Sequence, residues 1–509
     1  MHALWDQLER AARLRGGEKA IRCNGESLSW AEAMTHAACI AGVLNNRGIH
    51  AGARVAFIAP NSLIYMLMPF AAECAGGTFV PINSRLAVPE IVEQLEDVTP
   101  ALLIAAEPFV ELAREAASQA DVPLLTIEGE DGLIALAQTT EQLNPAPRPS
   151  GCPAAIYYTG GTTGRAKGVM LAGEELVMNA LQWAHAVSAR DDENLLVVAP
   201  MFHMVAALNA IITCVLACDL TILDRFTPDG ALAAIEKEKI TNIGVVPAMI
   251  DMLFAAEGFA QSDLSSLRIL TYGGSPISQH TLAATVEKLP RVRLYQIYGQ
   301  TEGGPTISAL QPEYHSTDPQ RSGKLRSAGK PLALAEVRII RPDGSECDRG
   351  ETGEITVRGP AVSKGYWNRP EETAAAFRDG WLHTGDAGYL DEDGFLFIVD
   401  RIKDMIVSGG ENVYAAEVER VVVQHPAVQE CAVIAIPSER WGEAVHAIVR
   451  LRDGQSADEA EIIAFCREKI SAFKSPRSVE FRREPYPLTG AGKVDKKALR
   501  AAHAETQVA

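Results

Sequence analysis

The stretch Tyr158-Thr-Gly-Gly-Thr-Thr-Gly-Arg-Ala-Lys-Gly168 follows a short apolar run, Ala154-Ala-Ile-Tyr157, that is typical of a buried strand. Three of its four glycines, at 160, 161 and 164, lie within five residues, so the backbone can approach a ligand closely and turn its N–H groups toward it. Three threonine hydroxyls and one lysine add hydrogen-bond donors and positive charge, and a phosphate chain is the natural ligand of such a loop. The pattern therefore predicts a phosphate-binding loop after a strand rather than a merely flexible polar connection.

The obvious rival is the Walker A loop, which requires the pattern G-x-x-x-x-G-K-[ST]. The glycines at 160, 161 and 164 are not followed by Gly-Lys-Ser or Gly-Lys-Thr at that spacing. We therefore predict a phosphate loop of another kind.

Around this loop, apolar runs that indicate strands alternate with amphipathic runs that indicate helices. The predicted strands are Arg54–Ile58, Ala101–Ala105, Leu195–Ala199, Asn242–Val246 and Leu267–Thr271, and two of the predicted helices are Pro89–Leu95 and Pro228–Glu238. Such alternation predicts an α/β fold of layered, largely parallel sheets covered by helices. After Ser327, the runs Glu336–Ile340 and Gly353–Arg358 alternate apolar and polar residues, which predicts a small antiparallel β unit over about 328–399.

A second boundary is predicted at Asp400-Arg401. The chain after it has amphipathic helical patterns at Ala415–Gln424 and Asp458–Lys469, with strand patterns at Val428–Ile436 and Ala444–Leu451. These elements predict a large N-terminal domain over 1–399 and, beyond the boundary at 400–401, a smaller α+β domain over 402–509.

Composition limits the partners and the compartment of the protein. The 509 residues carry a net charge of −18, which offers no general attraction for nucleic acid. The nine cysteines are scattered without a CxxC pair, and the N-terminus lacks the apolar stretch of a signal peptide. The most apolar run, Val205–Leu223, is interrupted by polar residues and is interpreted as a buried helix leading into a strand. We therefore expect a cytoplasmic protein without an integral membrane segment.

Four further motifs follow the loop along the chain. They are Tyr298-Gly-Gln-Thr-Glu-Gly303, Trp381-Leu-His-Thr-Gly-Asp386, Asp400-Arg-Ile-Lys-Asp-Met-Ile-Val-Ser-Gly-Gly-Glu-Asn-Val413 and Pro487-Leu-Thr-Gly-Ala-Gly-Lys-Val494. With the loop they resemble, over nearly the whole chain, the adenylate-forming superfamily of acyl-CoA synthetases, aryl-CoA ligases, luciferases and nonribosomal-peptide adenylation domains. The chain departs from the family loop at Gly160, where serine is usual, and at Ala166, where proline is usual. The acyl-CoA ligase branch is the expected one.

The resemblance implies a role for each matching residue. The implied ATP contacts are Thr159, Gly160, Gly161, Thr162, Thr163, Gly164, Lys167, Gly274, Ser275, Gln296, Tyr298, Gly299, Thr301, Asp386, Arg401 and Lys493. Glu302 would hold Mg²⁺ with Thr162, and the catalytic residues would be Lys493, Thr301 and His203. Ser408, Gly409 and Gly410 would approach coenzyme A after rotation of the C-terminal domain about Asp400.

The segment Ala199-Pro-Met-Phe-His-Met204 resembles the family segment that carries an aromatic or histidine gate to the acyl pocket, although a buried structural role for His203 stays open. Residues 204–209 contain no carboxylate to pair with an ammonium group, which favours an acid without an α-amino group. The implied pocket residues are His203, Ala206, Ala207, Asn209, Gly273, Gly274, Ser275, Gly304 and Thr306, most of them small. We expect an aromatic or cyclic acid as substrate, with a medium- or long-chain fatty acid as the alternative, and free coenzyme A as the acceptor because no carrier domain follows.

Two other functions are open alternatives for a chain with this resemblance, and a luciferase-like enzyme would share every motif. A luciferase-like oxidation would be revealed by light emission with a luciferin. A regulatory protein that binds ATP without catalysis would be expected to have degraded motifs, yet Glu302, Asp386 and Lys493 are all present. The sequence leaves a homodimer open.

Overall fold

The computed structural model describes residues 3–146, 148, 151–159, 166–274, 277–316, 322–408, 411–438, 441–489 and 494–508. The chain divides into two compact units. The first comprises residues 1–159, 166–337 and 357–382, and the described part of the second comprises residues 338–356 and 383–508. The predicted domain limits at 399 and 402 and the hinge at Asp400 stay predictions.

The first unit is built from helices and strands that alternate along the chain. Its helices are α1 (Ala3–Arg15), α2 (Trp30–Asn46), α3 (Leu63–Cys74), α4 (Val88–Val98), α5 (Val110–Gln119), α6 (Leu133–Thr139), α7 (Gly173–Ala186), α8 (Met204–Leu216), α9 (Pro228–Glu238), α10 (Pro247–Ala255), α11 (Gln279–Lys288) and α12 (Pro370–Ala376). Its strands up to residue 331 are β1 (Lys19–Cys23), β2 (Glu26–Ser29), β3 (Arg54–Ile58), β4 (Thr78–Pro81), β5 (Leu102–Ala105), β6 (Leu124–Thr126), β7 (Ala155–Thr159), β8 (Lys167–Leu171), β9 (Asn194–Val197), β10 (Asp219–Ile222), β11 (Asn242–Val245), β12 (Ile269–Gly273), β13 (Arg293–Tyr298), β14 (Ser308–Leu310) and β15 (Lys330–Pro331).

These strands form two sheets. One has six strands in the order β6-β5-β3-β4-β7-β8, and the other has nine in the order β15-β14-β13-β12-β11-β9-β10-β1-β2. The largest buried cluster contains Phe57 of the first sheet and Leu195 of the second together with side chains of α1, α2, α3, α7 and α8. A layer of helices is therefore shared by the two sheets, which confirms the predicted layered α/β class.

Local signals explain why several elements begin where the sequence predicts. Helix α9 spans the predicted residues, because Pro228 suits the first helical position and the Thr227 hydroxyl accepts a hydrogen bond from Gly230 N at 3.1 Å. The apolar run at 205–223 forms helix α8 followed by strand β10, as predicted. Among the helices formed by the described residues, none is both long and apolar enough to cross a membrane.

A five-stranded sheet follows along the chain. Its strands are β16 (Glu336–Ile340), β17 (Gly353–Arg358), β18 (Phe377–Arg378), β19 (Trp381–Leu390) and β20 (Leu396–Arg401). Strands β18 and β20 both pair antiparallel with β19. Strands β16 and β17 have the predicted bounds. Strand β16 ends at a turn that is closed by a hydrogen bond from Arg341 N to Ser345 O at 2.8 Å.

The rest of the second unit is one sheet with helices on both faces. Its elements are β21 (Met405–Ser408), β22 (Glu411–Tyr414), α13 (Ala415–Val422), β23 (Val428–Ser438), β24 (Gly442–Leu451), α14 (Glu459–Arg467), β25 (Ser478–Phe481) and α15 (Lys496–Val508). On one face, Val433 and Val445 pack with side chains of α13 and α14. On the other, Ile434 and Ile448 pack with Leu499 of α15. The predicted α+β character of this region is confirmed.

Candidate active site

The predicted phosphate loop connects two paired strands. Thr159 ends β7 and Lys167 begins β8, and the two residues are antiparallel partners. The loop residues Gly160, Gly161, Thr162, Thr163 and Gly164 lie outside the described part of the chain. At the base of the hairpin, a Cβ atom on Gly168 would lie 2.7 Å from Ile156 Cγ2, so only glycine fits there without rearrangement.

The hairpin is anchored at Tyr158. Its hydroxyl donates a hydrogen bond of 2.7 Å to Asp97 Oδ2, and burial together with Asp97 raises the pKa of Tyr158 well above its usual value. Asp97 also pairs with Arg369 at 2.8 Å. The strand that leads into the loop is therefore fixed by a partly buried, uncharged phenol.

Glu302, a residue of the second motif, is hydrogen-bonded to Thr159 of the first. It lies in a short 3-10 turn, Thr301–Gly303, just after strand β13, and is only 8% exposed. Its Oε1 atom accepts hydrogen bonds from the Thr159 hydroxyl at 3.3 Å and from the Tyr366 hydroxyl at 3.1 Å. The structure thus brings together Thr159, a predicted ATP contact, and Glu302, the predicted Mg²⁺-binding residue, which are far apart in the sequence.

Tyr366 is a member of this cluster that the sequence analysis missed. Its segment runs alongside β8, where Trp367 N donates to Gly168 O at 2.8 Å and Met170 N donates to Gly365 O at 3.0 Å. The Lys167 ammonium lies 5.0 Å from the centroid of the Tyr366 ring, within the range of a cation–π contact. The sequence feature that could have indicated this residue is the aromatic pair after a glycine in Gly365-Tyr-Trp-Asn-Arg-Pro370.

Three of the predicted ATP contacts, Gln296, Tyr298 and Gly299, lie in the last part of strand β13 or directly after it. Tyr272 donates to Gln296 Oε1 at 3.4 Å, and Ile307 N donates to Tyr298 O at 2.7 Å. A Cβ atom on Gly299 would lie 2.3 Å from Pro305 O, so the turn after Tyr298 closes tightly only because glycine stands there. Gly274 has a φ of 78°, and its neighbour Ser275 lies outside the described residues.

Two predicted residues of the acyl pocket, Gly304 and Thr306, contact Asn179 of helix α7. The Asn179 side-chain amide donates to Thr306 O at 3.2 Å, and a Cβ atom on Gly304 would lie 2.7 Å from Asn179 Nδ2. Ala207 is buried on α8, which packs against α7. The Asn209 amide instead donates to carbonyls of its own helix, Val205 O and Ala206 O. A Cβ atom on Gly273 would lie 2.4 Å from Ile297 O, so this strand position also requires glycine.

His203 precedes α8 and lies against Phe202, with their ring centroids 4.6 Å apart and their ring planes tilted by 58°. Burial and the nearby Arg85 lower the pKa of His203 to about 4. The imidazole is therefore neutral at neutral pH in the ligand-free chain.

In the second unit, Asp386 and Arg401 form a pair. They are facing residues of β19 and β20, and Arg401 Nε lies 2.6 Å from Asp386 Oδ1. Asp386 is buried, whereas the Arg401 side chain is 39% exposed. These two predicted ATP contacts therefore lie side by side, with the guanidinium offset toward solvent.

Asp400 uses both carboxylate oxygens for backbone contacts. Oδ1 accepts from Arg401 N at 2.7 Å, and Oδ2 accepts from Ala416 N at 2.7 Å, near the start of α13. A negative group at a helix N-terminus is favourable, whereas burial acts against it and raises the pKa of Asp400. Ser408 is buried at the end of β21, while Gly409, Gly410 and Lys493 lie outside the described residues.

The Glu302 cluster fits a hard cation. Both hydroxyl donors reach Oε1, and within the described part of the chain Oε2 accepts no hydrogen bond. Hydroxyl donors do not neutralise a carboxylate, and carboxylate oxygens suit Mg²⁺ that is shared with substrate phosphates. Glu302 can therefore hold Mg²⁺ next to Thr159, the last described residue before the predicted phosphate loop.

Two family descriptions match the chain. Residues 8–367 match "AMP-binding enzyme" and residues 417–493 match "AMP-binding enzyme C-terminal domain". The chain is 38% identical over 492 residues to a feruloyl-CoA synthase of Amycolatopsis, covering 96% of this chain and 97% of that protein. It is 35% identical over 471 residues to the long-chain-fatty-acid–CoA ligase FadD13 of Mycobacterium tuberculosis, covering 92% and 91%.

A solved structure is similar over almost the same span. It is o-succinylbenzoate CoA synthetase from Bacillus subtilis in complex with its acyl-adenylate intermediate, with a TM-score of 0.86 and 29% identity, covering 97% of each chain.

Proposed function

The chain belongs to the AMP-binding enzymes of the adenylate-forming superfamily, and from that premise we propose that it is an AMP-forming acyl-CoA ligase. In the first step the carboxylate oxygen of the acid attacks the α-phosphorus of ATP, which forms an acyl-adenylate and releases pyrophosphate. In the second step the thiol of coenzyme A attacks the acyl carbonyl, which forms the thioester and releases AMP. The co-substrates are therefore ATP and coenzyme A.

The observation that carries this proposal is the cluster around Glu302. Thr159 and Tyr366 hold the carboxylate by hydrogen bonds at the end of the phosphate-loop hairpin, and Lys167 stands beside Tyr366. When bound there, Mg²⁺ supplies positive charge to the phosphate oxygens. Lys167 adds a fixed cation in the same region, so this part of the chain can bind and orient a polyphosphate.

Asp386 and Arg401 supply the proposed ribose contacts. A carboxylate can accept hydrogen bonds from two hydroxyl groups, and the pairing with Arg401 fixes the orientation of the Asp386 side chain. Because Asp386 is buried, its acceptor oxygens are held in place before the nucleotide binds.

We assign the first half-reaction to Lys493 and the change between the two half-reactions to a rotation about Asp400, as the family resemblance implies. In Lys493→Ala, adenylate formation should be lost while thioester formation from supplied acyl-adenylate is retained. Both half-reactions would be followed separately by release of pyrophosphate and of AMP. Equal loss of the two would overturn this division.

We propose an aromatic or cyclic carboxylic acid as the substrate. The relative at 38% identity is named for an aromatic acyl group, and residues 204–209 contain no carboxylate that would pair with an amino acid. A neutral His203 beside Phe202 suits an uncharged ring better than a second charge. The alternative substrate is a medium- or long-chain fatty acid. This alternative is supported by the 35% identical mycobacterial relative, which is named as a long-chain-fatty-acid–CoA ligase.

The test is AMP release by the purified chain with ATP, Mg²⁺ and coenzyme A across a panel of acids. The panel would hold matched pairs of cinnamic-type, cyclic and straight-chain acids of similar carbon number, with amino acids as the negative set. Higher kcat/KM for the ring-containing acids supports the proposal, whereas higher values for straight chains establish the fatty-acid alternative. ATP binding without acid-dependent AMP release would instead favour a regulatory ATP-binding protein.

We further propose a cytoplasmic location, since the nine cysteines, all within the described residues, are free thiols. Light scattering of the same preparation would test the homodimer that the sequence leaves open.

A further inference from the structure

A group of metal-binding side chains lies in the second unit, apart from the residues assigned to ATP and the acid. His446 is on β24, Glu480 is on β25 and His503 is on α15. One ligand atom from each of the three side chains lies within 4.8 Å of the other two.

The fold brings these residues to one face of the sheet. His446 pairs in register with Ser478, and Ile448 pairs with Glu480, so the side chains of alternate residues on the two parallel strands share a face. Helix α15 covers this face, because Ile448 packs against Leu499. His503 follows Leu499 by one helical turn and therefore reaches the same side.

The distances between the ligand atoms suit a small tetrahedral ion. His446 Nε2 lies 3.5 Å and His503 Nδ1 lies 3.3 Å from the same oxygen, Glu480 Oε2. Zinc binds nitrogen and oxygen at about 2.0–2.2 Å, so two ligand atoms of a tetrahedral zinc ion stand about 3.3 Å apart. Two edges of the required tetrahedron are therefore already present.

The His446 ring is oriented by a hydrogen bond with the Ser478 hydroxyl. Its Nδ1 atom lies 2.7 Å from the Ser478 hydroxyl, while the side chain is only 4% exposed. The buried Nε2 atom, which faces Glu480, has no hydrogen-bond partner within the described residues. A ring oriented by a hydrogen bond at one nitrogen, which leaves the other nitrogen to bind the ion, is the usual arrangement of a histidine metal ligand.

We propose that His446, Glu480 and His503 bind a divalent transition-metal ion, with Zn²⁺ the best match. Two imidazoles and one carboxylate are ligands that zinc accepts, and the fourth position is available to water. Mg²⁺ and Ca²⁺ prefer oxygen ligands, so this site differs in kind from the Glu302 site.

The ion would link α15 to two strands of the sheet. Helix α15 begins shortly after the segment that contains Lys493, so the ion would tether the chain just beyond that residue. A ligand that binds only the folded state stabilises it, and chelation should therefore lower the melting temperature of the wild-type chain.

The chain offers a matched control. His425 Nε2 lies 3.4 Å from Glu461 Oε1, and His425 is also buried, but no third metal-binding side chain joins this pair among the residues that the structure describes. His425→Ala therefore removes a buried histidine of the same unit without removing a ligand.

The experiment is zinc titration by calorimetry of the chelator-treated full chain, without ATP or Mg²⁺. Co²⁺ titration of the same sample reports a tetrahedral site through its strong visible absorption. The wild type and His425→Ala should bind one equivalent, whereas His503→Ala and Glu480→Gln should bind at least about tenfold more weakly and lose the Co²⁺ spectrum. Circular dichroism of both variants confirms folding, and Glu480→Gln decides the question if His503→Ala unfolds. Absence of binding in the wild type, or unchanged binding in a folded ligand variant, would overturn the proposal.

Discussion

Two buried carboxylates of this protein, Glu302 in the first unit and Asp386 in the second, are held in opposite ways. Glu302 accepts hydrogen bonds from the neutral hydroxyls of Thr159 and Tyr366. Asp386 lies 2.6 Å from the guanidinium of Arg401. Hydroxyl groups orient a carboxylate without neutralising it, whereas a guanidinium supplies a counter-charge. Glu302 therefore still requires a cation, and Asp386 requires only hydroxyl groups.

Glu302→Gln should have the largest effect, because it keeps the shape and removes the charge that attracts Mg²⁺. We expect kcat/KM for AMP release to fall about 10³-fold, the size of loss typical when charge stabilisation of a transition state is removed. The measurement is AMP release over a range of Mg²⁺ concentrations. Asp386→Asn is the control, since its Mg²⁺ dependence should match that of the wild type. An equal shift in both variants would contradict the contrast between the two carboxylates.

Asp386→Asn should act on the nucleotide instead. Hydrogen bonds to charged groups contribute about 1.5–3 kcal/mol, so we expect KM for ATP to rise roughly 10- to 100-fold. Arg401→Ala should raise it less, and the double variant should fall short of the product of the two single effects, because the residues act as a pair. Strictly multiplicative effects in initial-rate measurements would show that the pair is not a unit.

His203 is a third case, because its charged neighbour, Arg85, has the same positive sign that a protonated imidazole would have. Its pKa of about 4 is below the usual histidine value, so between pH 4 and about 6.5 the unfolded chain binds the additional proton. Stability should therefore fall as pH decreases through this range. From pH 7 to pH 5 the wild type should lose about 1–2 kcal/mol more unfolding free energy than His203→Gln, measured by urea unfolding. Parallel pH profiles would indicate a histidine with an ordinary pKa.

Tyr366→Phe should have the smallest effect. It removes one hydrogen bond to Glu302 but leaves the ring beside Lys167, and a single neutral hydrogen bond contributes about 0.5–1.5 kcal/mol. We expect a roughly 2- to 10-fold lower kcat for AMP release. Tyr389→Phe, at a tyrosine stacked on Phe397 in the other unit, serves as the control. A loss in Tyr366→Phe as large as in Glu302→Gln would mean that the phenol does more than orient the carboxylate.

The sequence predicts the elements of the fold well where the signals are local. Pro228 after Thr227 marks the start of α9, and the alternation of polar and apolar residues from Glu354 to Arg358 marks strand β17. The sites are less predictable, because their partners are distant along the chain. Tyr366 reaches Glu302 only after its segment has paired with β8, and the backbone contacts of Asp400 depend on where α13 begins. The group at His446, Glu480 and His503 carries no motif at all, since it arises from strand register and helix packing.

The most direct test of the adenylation account is exchange of labelled pyrophosphate into ATP, measured without coenzyme A. The account predicts that exchange occurs only when an accepted carboxylic acid and Mg²⁺ are both present, and that Glu302→Gln lowers its rate about 10³-fold. Exchange that needs no acid, or AMP formation that begins only after coenzyme A is added, would contradict it.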